Sequence, residues 1–468
     1  MLTLADVIEA LSGKRPERVL QTVHRVVIDS RQVQPGDLFV ALKGERADGH
    51  SFVGEAFGRG AIAALVERDM SPDHNVVDLR PESTAVWQVS LPVCLRVSNV
   101  LTALQDLAGY WRAKFNVRAI GITGSVGKTS TKELVWAVLA RRFNTLRSEG
   151  NLNNEIGVPL TLLQLGPTHE RVVLEMGMYA RGEIARLCEL ARPVVGVVTV
   201  VGPVHLERLG SLEAIAAAKA ELVEALPPNG TAILNYDEPM VRQMWTRTKA
   251  HVLFYGLDRR ADLWADEIES AGLEGISFRM HYQRESLHVH VPLLGRHSVH
   301  TALRAAAVGL TEGMAWEDIL AGLQDRRAQV RLVAVPGPHG SLILDDTYNA
   351  SPASTIAALN LLAEMEGRKI AVLGDMLELG SYEEEGHRLV GRRAMDVADI
   401  LVVVGPRGRI IGQEALSLGM DVESVCLCDD NQTAVEYLQK VIRPGDYVLV
   451  KGSRGMQMEE IIAALEKG

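Results

Sequence analysis

Cysteine is scarce in this chain, with four in 468 residues: Cys94, Cys188, Cys426 and Cys428. So low a count in so long a chain excludes a disulfide framework. Cys426 and Cys428 lie along an apparent strand, Ser424 to Cys428, where core or surface thiols suit the pattern better than a metal site. Long apolar runs are missing too, and none reaches the ~18 residues that a membrane helix needs. The segment Met1 to Ala10 carries Asp6 and Glu9 and lacks a signal-peptide pattern. The expectation is a cytoplasmic chain with no membrane insertion. Positive charge is in deficit, 49 Lys and Arg against 59 Asp and Glu, for a formal net charge of −10. That excludes a broad nucleic-acid surface, which needs a basic face, but not an anionic ligand held by a few local cations. Short internal repeats and low-complexity tracts are absent. With 47% hydrophobic and 23% charged residues the chain is not disordered and can bury several cores. Its length suggests about three domains.

What is present is most informative at Gly121-Ile122-Thr123-Gly124-Ser125-Val126-Gly127-Lys128-Thr129-Ser130. An apolar run, Val117 to Ile122, reads as a buried strand before it. Thr131 to Phe143, with Leu134, Ala137 and Val138 at helical spacing, reads as a helix after it. Strand, glycine turn and helix make the context of a phosphate-binding loop. Glycines let the backbone curl its N–H groups inward at an anion, and the helix N-terminus adds partial positive charge. Lys128 is placed to reach terminal phosphates and the Thr129 hydroxyl to hold Mg²⁺. The match is not strict, because Ile122 stands where the general pattern has its first glycine.

Three α/β regions follow from the strand and helix signals. Residues 1–98 form a small unit with short strands at Val26-Val27-Ile28, Leu38 to Leu42 and Ala61 to Val66. A loop or edge carrying Pro72, Pro81 and Pro92 follows. Residues 99–328 alternate strands and helices as in a parallel sheet covered by helices. Arg171 to Met176 and Val194 to Val201 read as central strands, and Ser211 to Leu226 as a helix capped by Ser211. Residues 329–468 repeat the alternation, with strands at Leu342 to Leu344, Ile370 to Leu373, Ile400 to Val404 and Tyr447 to Val450. That is the spacing of a doubly wound, Rossmann-like domain without its own phosphate loop.

In an open parallel sheet the ligand crevice lies at the carboxyl ends of the strands. Glu175 ends one central strand and His205 follows another; taken singly each reads as structural, but on the same sheet edge as the phosphate loop they can serve as ligands for a second divalent ion, imidazole being a soft donor for Mg²⁺. Lys219 completes the stripe Leu212, Ile215, Leu222, Leu226 on its helix. A cation in an apolar stripe costs roughly several kcal/mol unless it is paired, neutralised or wet. Either its stem snorkels to water or its amine has a chemical use. The loop Asn151 to Gly157 offers side-chain amides for a sugar or peptide, or ordinary turn chemistry. Asp345-Asp346-Thr347-Tyr348-Asn349 and Lys451-Gly452-Ser453-Arg454 end two strands of the last region and are placed to form one ligand face.

Together these residues resemble the Mur ligases of bacterial cell-wall synthesis over essentially the whole chain. The likeness is strongest to the branch that adds D-alanyl-D-alanine to a UDP-N-acetylmuramoyl-tripeptide. Thr123 to Thr129 looks like that family's ATP loop, and Gly150 to Pro159 is similar to its central-domain signature. Asp345 to Pro352 and Val372 to Gly380 match the branch more specifically. Asp29-Ser30-Arg31, Gly36 to Ala41, Gly44 and Asp48-Gly49-His50 resemble a pattern for holding a UDP-sugar. The Asp-Asn-Pro-Arg motif of a sister branch is absent. A nucleotide switch that moves a partner is the alternative class; the likeness of residues 1–98 to a UDP-sugar domain speaks against it.

The resemblance implies a monomeric ATP-dependent amide ligase that works through an acyl phosphate with Mg²⁺. It implies that Lys128, Lys219 and His205 serve catalysis. Thr123, Gly124, Ser125, Val126, Gly127, Lys128, Thr129, Ser130, His297, Arg331 and Asp346 bind ATP. Ser30, Arg31, Gly44, Asp48, Gly49 and His50 hold the UDP-sugar, and Asn153, Asn154, Tyr348, Asn349, Lys451, Ser453 and Arg454 the remaining substrate. Thr129 and Glu175 hold one metal ion and His205 the other, with Lys219 facing the metal as a carbamate. One stretch departs from the family pattern. Gly295-Arg296-His297-Ser298-Val299-His300-Thr301-Ala302 has Ser and Thr where two Asn are common, and a hydroxyl cannot reproduce the paired bonds an amide makes to adenine.

Overall fold

The computed structural model describes residues 1–44, 47–70, 74–83, 87, 89–204, 206–328 and 332–466. It contains three α/β sheets, and its backbone divides into two compact units. One comprises Met1–Gly121, Phe143–Met178 and Gly182–Val194; the other comprises Ile122–Arg142, Tyr179–Arg181 and Val195–Gly468.

The first unit holds a five-stranded sheet in the order Val26–Val27, Leu38–Val40, Ala63–Val66, Val93–Arg96, Asn75–Asp78, all parallel. Leu38–Val40 and Ala63–Val66 are buried at every position, as expected of strands covered on both faces. The strand expected over Leu38 to Leu42 stops at Val40. The Leu42 carbonyl turns to accept from the Gly49 N–H at 2.8 Å. The proline-bearing segment supplies the edge strand Asn75–Asp78. The same unit holds the parallel pair Thr145–Arg147 and Arg171–Glu175.

In the second unit a sheet runs Glu285–Val291, Ile276–Tyr282, Leu263–Ser270, His251–Gly256, Thr231–Asn235. The alternation expected through residue 328 fails over Leu263 to Val291, where three strands form an antiparallel meander with no intervening α-helix. Ile276, Phe278 and Met280 are buried while Ser277, Arg279 and His281 face outward. That period of two suits a sheet with one wet face.

The last sheet runs Val333–Pro336, Leu342–Asp345, Tyr447–Lys451, Lys369–Gly374, Ile400–Val404, Val425–Cys428. Only the first strand is antiparallel. Two separate cores form in this region. One takes in Leu359, Val390 and Ile411, the other Ala434, Leu438 and Ile461. This is the doubly wound arrangement expected. Cys428 is buried with its Sγ 3.6 Å from Cys426, and burial pushes its thiol up to about 12, a core thiol. Among the described residues no helix is long and apolar enough to cross a membrane.

Candidate active site

The strand Arg118–Thr123 leads into the loop and the helix Lys128–Leu139 leaves it. Gly124 (φ +145°) and Gly127 (φ +82°) hold backbone conformations that side-chain-bearing residues rarely adopt. Thr199 packs beneath the turn. Its hydroxyl donates to the Val126 carbonyl at 2.7 Å, and a β-carbon at Gly124 would fall 1.8 Å from that hydroxyl oxygen. The Ser125 hydroxyl exchanges hydrogen bonds with the backbone of Gly202, at 3.0 and 2.9 Å. Lys128 folds back over the loop and donates to the Gly124 carbonyl at 2.8 Å. Thr129 is buried at the helix start, Ser130 is half-buried beside it, and the buried Thr123 hydroxyl has no hydrogen-bond partner among the described residues.

Lys219 lies on the helix Leu212–Glu224, where Ser211 caps the N-terminus by accepting from the Ala214 N–H at 3.1 Å. It is 3% exposed, so its stem does not carry the amine to water. Burial, and secondarily the Lys128 ammonium, push its pKa well below the ordinary lysine value. The amine is thereby biased to the neutral form. His205 lies outside the described residues, as does Arg331. Glu175 is buried at its strand end and accepts from the Asn153 amide at 2.9 Å. Asn154 turns inward on its own loop and accepts from the Gly157 N–H at 2.9 Å.

At the helix Ser298–Thr311, His297 is buried and pushed down to about 4, by desolvation first and then by the neighbouring His300, Lys451 and Arg304 side chains. The strand ends of the last sheet bring Lys451 to Asp346, 2.5 Å away, and to the Asn349 carbonyl at 2.8 Å. Ser453 accepts from the Leu377 N–H at 2.9 Å, which ties this loop to the Val372–Gly380 signature. Tyr348 is half-buried and Asn349 exposed beside Asp346. Arg454 is exposed and pairs with Glu459 at 3.0 Å.

In the first unit, Ser30 donates to Glu55 at 3.0 Å, and Arg31 is mostly exposed against Asp29. His50 uses both ring nitrogens within the chain. Nε2 accepts from the Glu67 N–H at 2.9 Å, so Nδ1 carries the proton and donates to Asp48 at 2.7 Å. Gly49 abuts the Leu42 carbonyl, 2.6 Å from where a β-carbon would lie, and the Gly44 N–H donates to the Ala47 carbonyl at 2.9 Å. The sequence reading missed Thr199 and Arg304. Each had a signal, a hydroxyl in the apolar run Val194 to Val201 and a lone cation in the alanine-rich stretch Ala302 to Ala307.

A phosphate loop at the end of a parallel strand, with a buried lysine whose pKa is pushed down near the loop's own Lys128, defines a phosphate-loop nucleotide enzyme. The chain matches the Mur ligase family catalytic domain over residues 22–110 and the Mur ligase middle domain over 122–309. The Mur ligase glutamate ligase domain matches 326–454. It is 37% identical to a UDP-N-acetylmuramoyl-tripeptide--D-alanyl-D-alanine ligase of Bacillus subtilis, over 99% of this chain and 98% of that one. The enzyme of the same name from Escherichia coli is 36% identical over 100% and 98%. A crystal structure of MurF from Acinetobacter baumannii superposes with a TM-score of 0.85 at 30% identity, covering 100% of this chain and 99% of that one. MurF ligase from Thermotoga maritima in complex with ADP gives 0.78 at 29% identity, covering 95% and 97%. The chain belongs to the Mur ligase family.

Proposed function

We infer that this chain is an ATP-dependent, ADP-forming ligase that joins D-alanyl-D-alanine to the terminal carboxylate of a UDP-N-acetylmuramoyl-tripeptide. The observation that supports it most is the phosphate loop with Lys128 and the buried Lys219, whose pKa burial pushes down, in a chain whose full-length relatives bear that name. A carboxylate oxygen of the tripeptide attacks the γ-phosphorus and ADP leaves. The amine of the dipeptide then attacks the acyl carbon and gives up a proton, and the acyl C–O bond breaks as phosphate leaves with its electron pair. Phosphoryl transfer asks for charge neutralisation more than covalent help. Lys128 lies on the loop itself, where it donates to the Gly124 carbonyl at 2.8 Å, and would supply that neutralising charge to the phosphates.

Thr129, Glu175 and a carbamylated Lys219 are oxygen donors of the type Mg²⁺ prefers. The burial of the Lys219 amine, which lowers its pKa, fits that assignment, because carbamylation requires the unprotonated form. Mg²⁺ supplies charge stabilisation to the transferring phosphoryl group. His205 and Arg331 remain proposed for metal and phosphate by family likeness. Residues 1–98 would anchor the UDP-sugar, 99–328 ATP, and 329–468 the dipeptide end. Asp346 would hold the ribose, and its ion pair with Lys451 fixes its orientation. The enzyme would act as a monomer in the cytoplasm, where ATP is available.

The test is substrate-dependent ADP release. With ATP and Mg²⁺, ADP should form quickly only when UDP-tripeptide and D-alanyl-D-alanine are both present, and mass spectrometry should find the pentapeptide product. The lysine and diaminopimelate tripeptides are assayed in parallel. Rapid ADP release without either peptide would favour a nucleotide switch instead.

A further inference from the structure

Arg304 is 5% exposed on the helix Ser298–Thr311. Among the described residues no carboxylate pairs with it, and its Nε has no hydrogen-bond partner. Its neighbours are neutral. One terminal nitrogen donates to the Thr301 hydroxyl at 2.8 Å, and the other approaches the Tyr255 hydroxyl at 3.5 Å. Asp237, an acid of the same region, is taken up by His300 at 2.9 Å and by the Leu257 and Asp258 N–H groups. A buried guanidinium without a counter-ion is costly to fold around. It becomes favourable when an anion arrives.

The place where such an anion arrives is next to it. A β-carbon at Gly127 would lie 3.3 Å from the Arg304 terminal nitrogen, so the guanidinium packs against the last glycine of the phosphate loop. Tyr255 extends the contact, with its hydroxyl donating to the Thr199 carbonyl at 3.2 Å, while Thr199 holds Val126. The two positions that usually bear amides are spent elsewhere. Ser298 donates to the Leu294 carbonyl at 2.7 Å and Thr301 accepts from Arg304.

We propose that Arg304 is a positioning residue whose counter-ion is the nucleotide's phosphates. It braces Gly127 from beneath the loop and supplies charge that Lys128 alone does not, so this helix serves phosphate binding rather than reading of the purine edge. The proposal rests on the ATP-dependent reading above.

Calorimetry with ATP, ADP, AMP and adenosine separates the outcomes. Wild type that binds no ATP would remove the underlying reading. If wild type binds, Arg304→Met should weaken ATP and ADP at least tenfold, AMP less, and adenosine little. Arg304→Lys should recover part of the loss, and binding should become less salt-dependent in Arg304→Met. Loss of all four ligands alike would mean a structural prop and would overturn the proposal, as would unchanged ATP affinity. Should Arg304→Met fail to fold, Thr301→Val keeps the charge but removes the hydroxyl that aims it. That variant should weaken ATP several-fold with its melting temperature preserved, and unchanged affinity there would equally overturn the proposal.

Discussion

The side-chain amide of Asn153 donates to Oε1 of Glu175 at 2.9 Å, and the Gly177 N–H donates to the Asn153 carbonyl at 2.7 Å. The glycine-flanked loop and the carboxylate at the strand end are therefore one construction. The amide fixes the rotation of a buried carboxylate that the proposed function assigns to Mg²⁺. Outer partners of this kind tune a metal ligand, and their loss typically costs ~10–100-fold in metal affinity. Asn153→Ala is expected to raise the Mg²⁺ concentration for half-maximal turnover by about that factor. A Mg²⁺ titration at saturating ATP that gave the wild-type midpoint would reduce Asn153 to a scaffold residue.

Lys128→Ala should abolish ligation with the fold intact. The ammonium donates to the Gly124 carbonyl at 2.8 Å. At the transition state the same charge is worth roughly several kcal/mol. Less than about a tenth of wild-type turnover should remain at saturating ATP, with an unchanged circular dichroism spectrum. Higher residual activity would place the neutralising charge elsewhere.

Most of the chain's organisation was legible because it is local. The phosphate loop, the Ser211 cap and the doubly wound last region are written in consecutive residues, and each appears where the pattern placed it. Leu263 to Val291 was misread because alternation along three strands is a weak signal beside the surrounding helical periodicity. The pairing of Asn153 with Glu175, like that of Arg304 with Gly127, joins residues far apart in sequence. A single sequence carries no trace of such contacts beyond a polar residue in apolar surroundings. Lys219 was the exception, since its place in the stripe announced it before the burial was known.

Gly124→Ala tests how tightly the loop is built. The new methyl would meet the Thr199 hydroxyl at 1.8 Å, at a φ of +145° that alanine resists. The loop must then move, so ATP affinity should fall at least about tenfold and stability by roughly 1–3 kcal/mol. The double variant Gly124→Ala, Thr199→Ala removes the 1.8 Å contact but leaves the β-carbon of residue 199 at 3.0 Å and the backbone strain, and should recover only part of the stability. Full recovery, read from urea midpoints, would mean that sterics alone select glycine there.

His297 should make the protein acid-sensitive. Burial lowers its pKa from 6.5 to about 4. Above pH ~6.5 both folded and unfolded chains carry a neutral ring, and no penalty applies. As pH falls from ~6.5 toward ~4 the unfolded chain takes up the proton and the folded chain does not, so stability declines by up to about 3 kcal/mol. His297→Gln should flatten that part of the curve. Urea midpoints at several pH values measure it, and identical slopes in both proteins would show that the folded ring is already charged.

Lys219 carries the strongest expectation, that its amine is carbamylated in the active enzyme. It is 3% exposed, so the snorkelling alternative fails on geometry. Burial, with Lys128 beside it, favours the free amine over the ammonium. A free amine adds to the carbon of CO₂, loses a proton and becomes a carbamate, exchanging a buried amine for an anion with two oxygens suited to Mg²⁺. Enzyme equilibrated with ¹³C-bicarbonate should therefore give a carbamate carbon resonance that Lys219→Ala lacks. The alanine variant should be nearly inactive yet folded, and a short carboxylate added to the assay should restore part of its turnover by occupying the vacated volume. Acidification should remove the resonance and the activity together, because protonation returns the carbamate to amine and CO₂. Full activity in Lys219→Ala, or a wild-type enzyme that turns over at full rate with no carbamate signal, would show that the burial of this lysine serves packing alone.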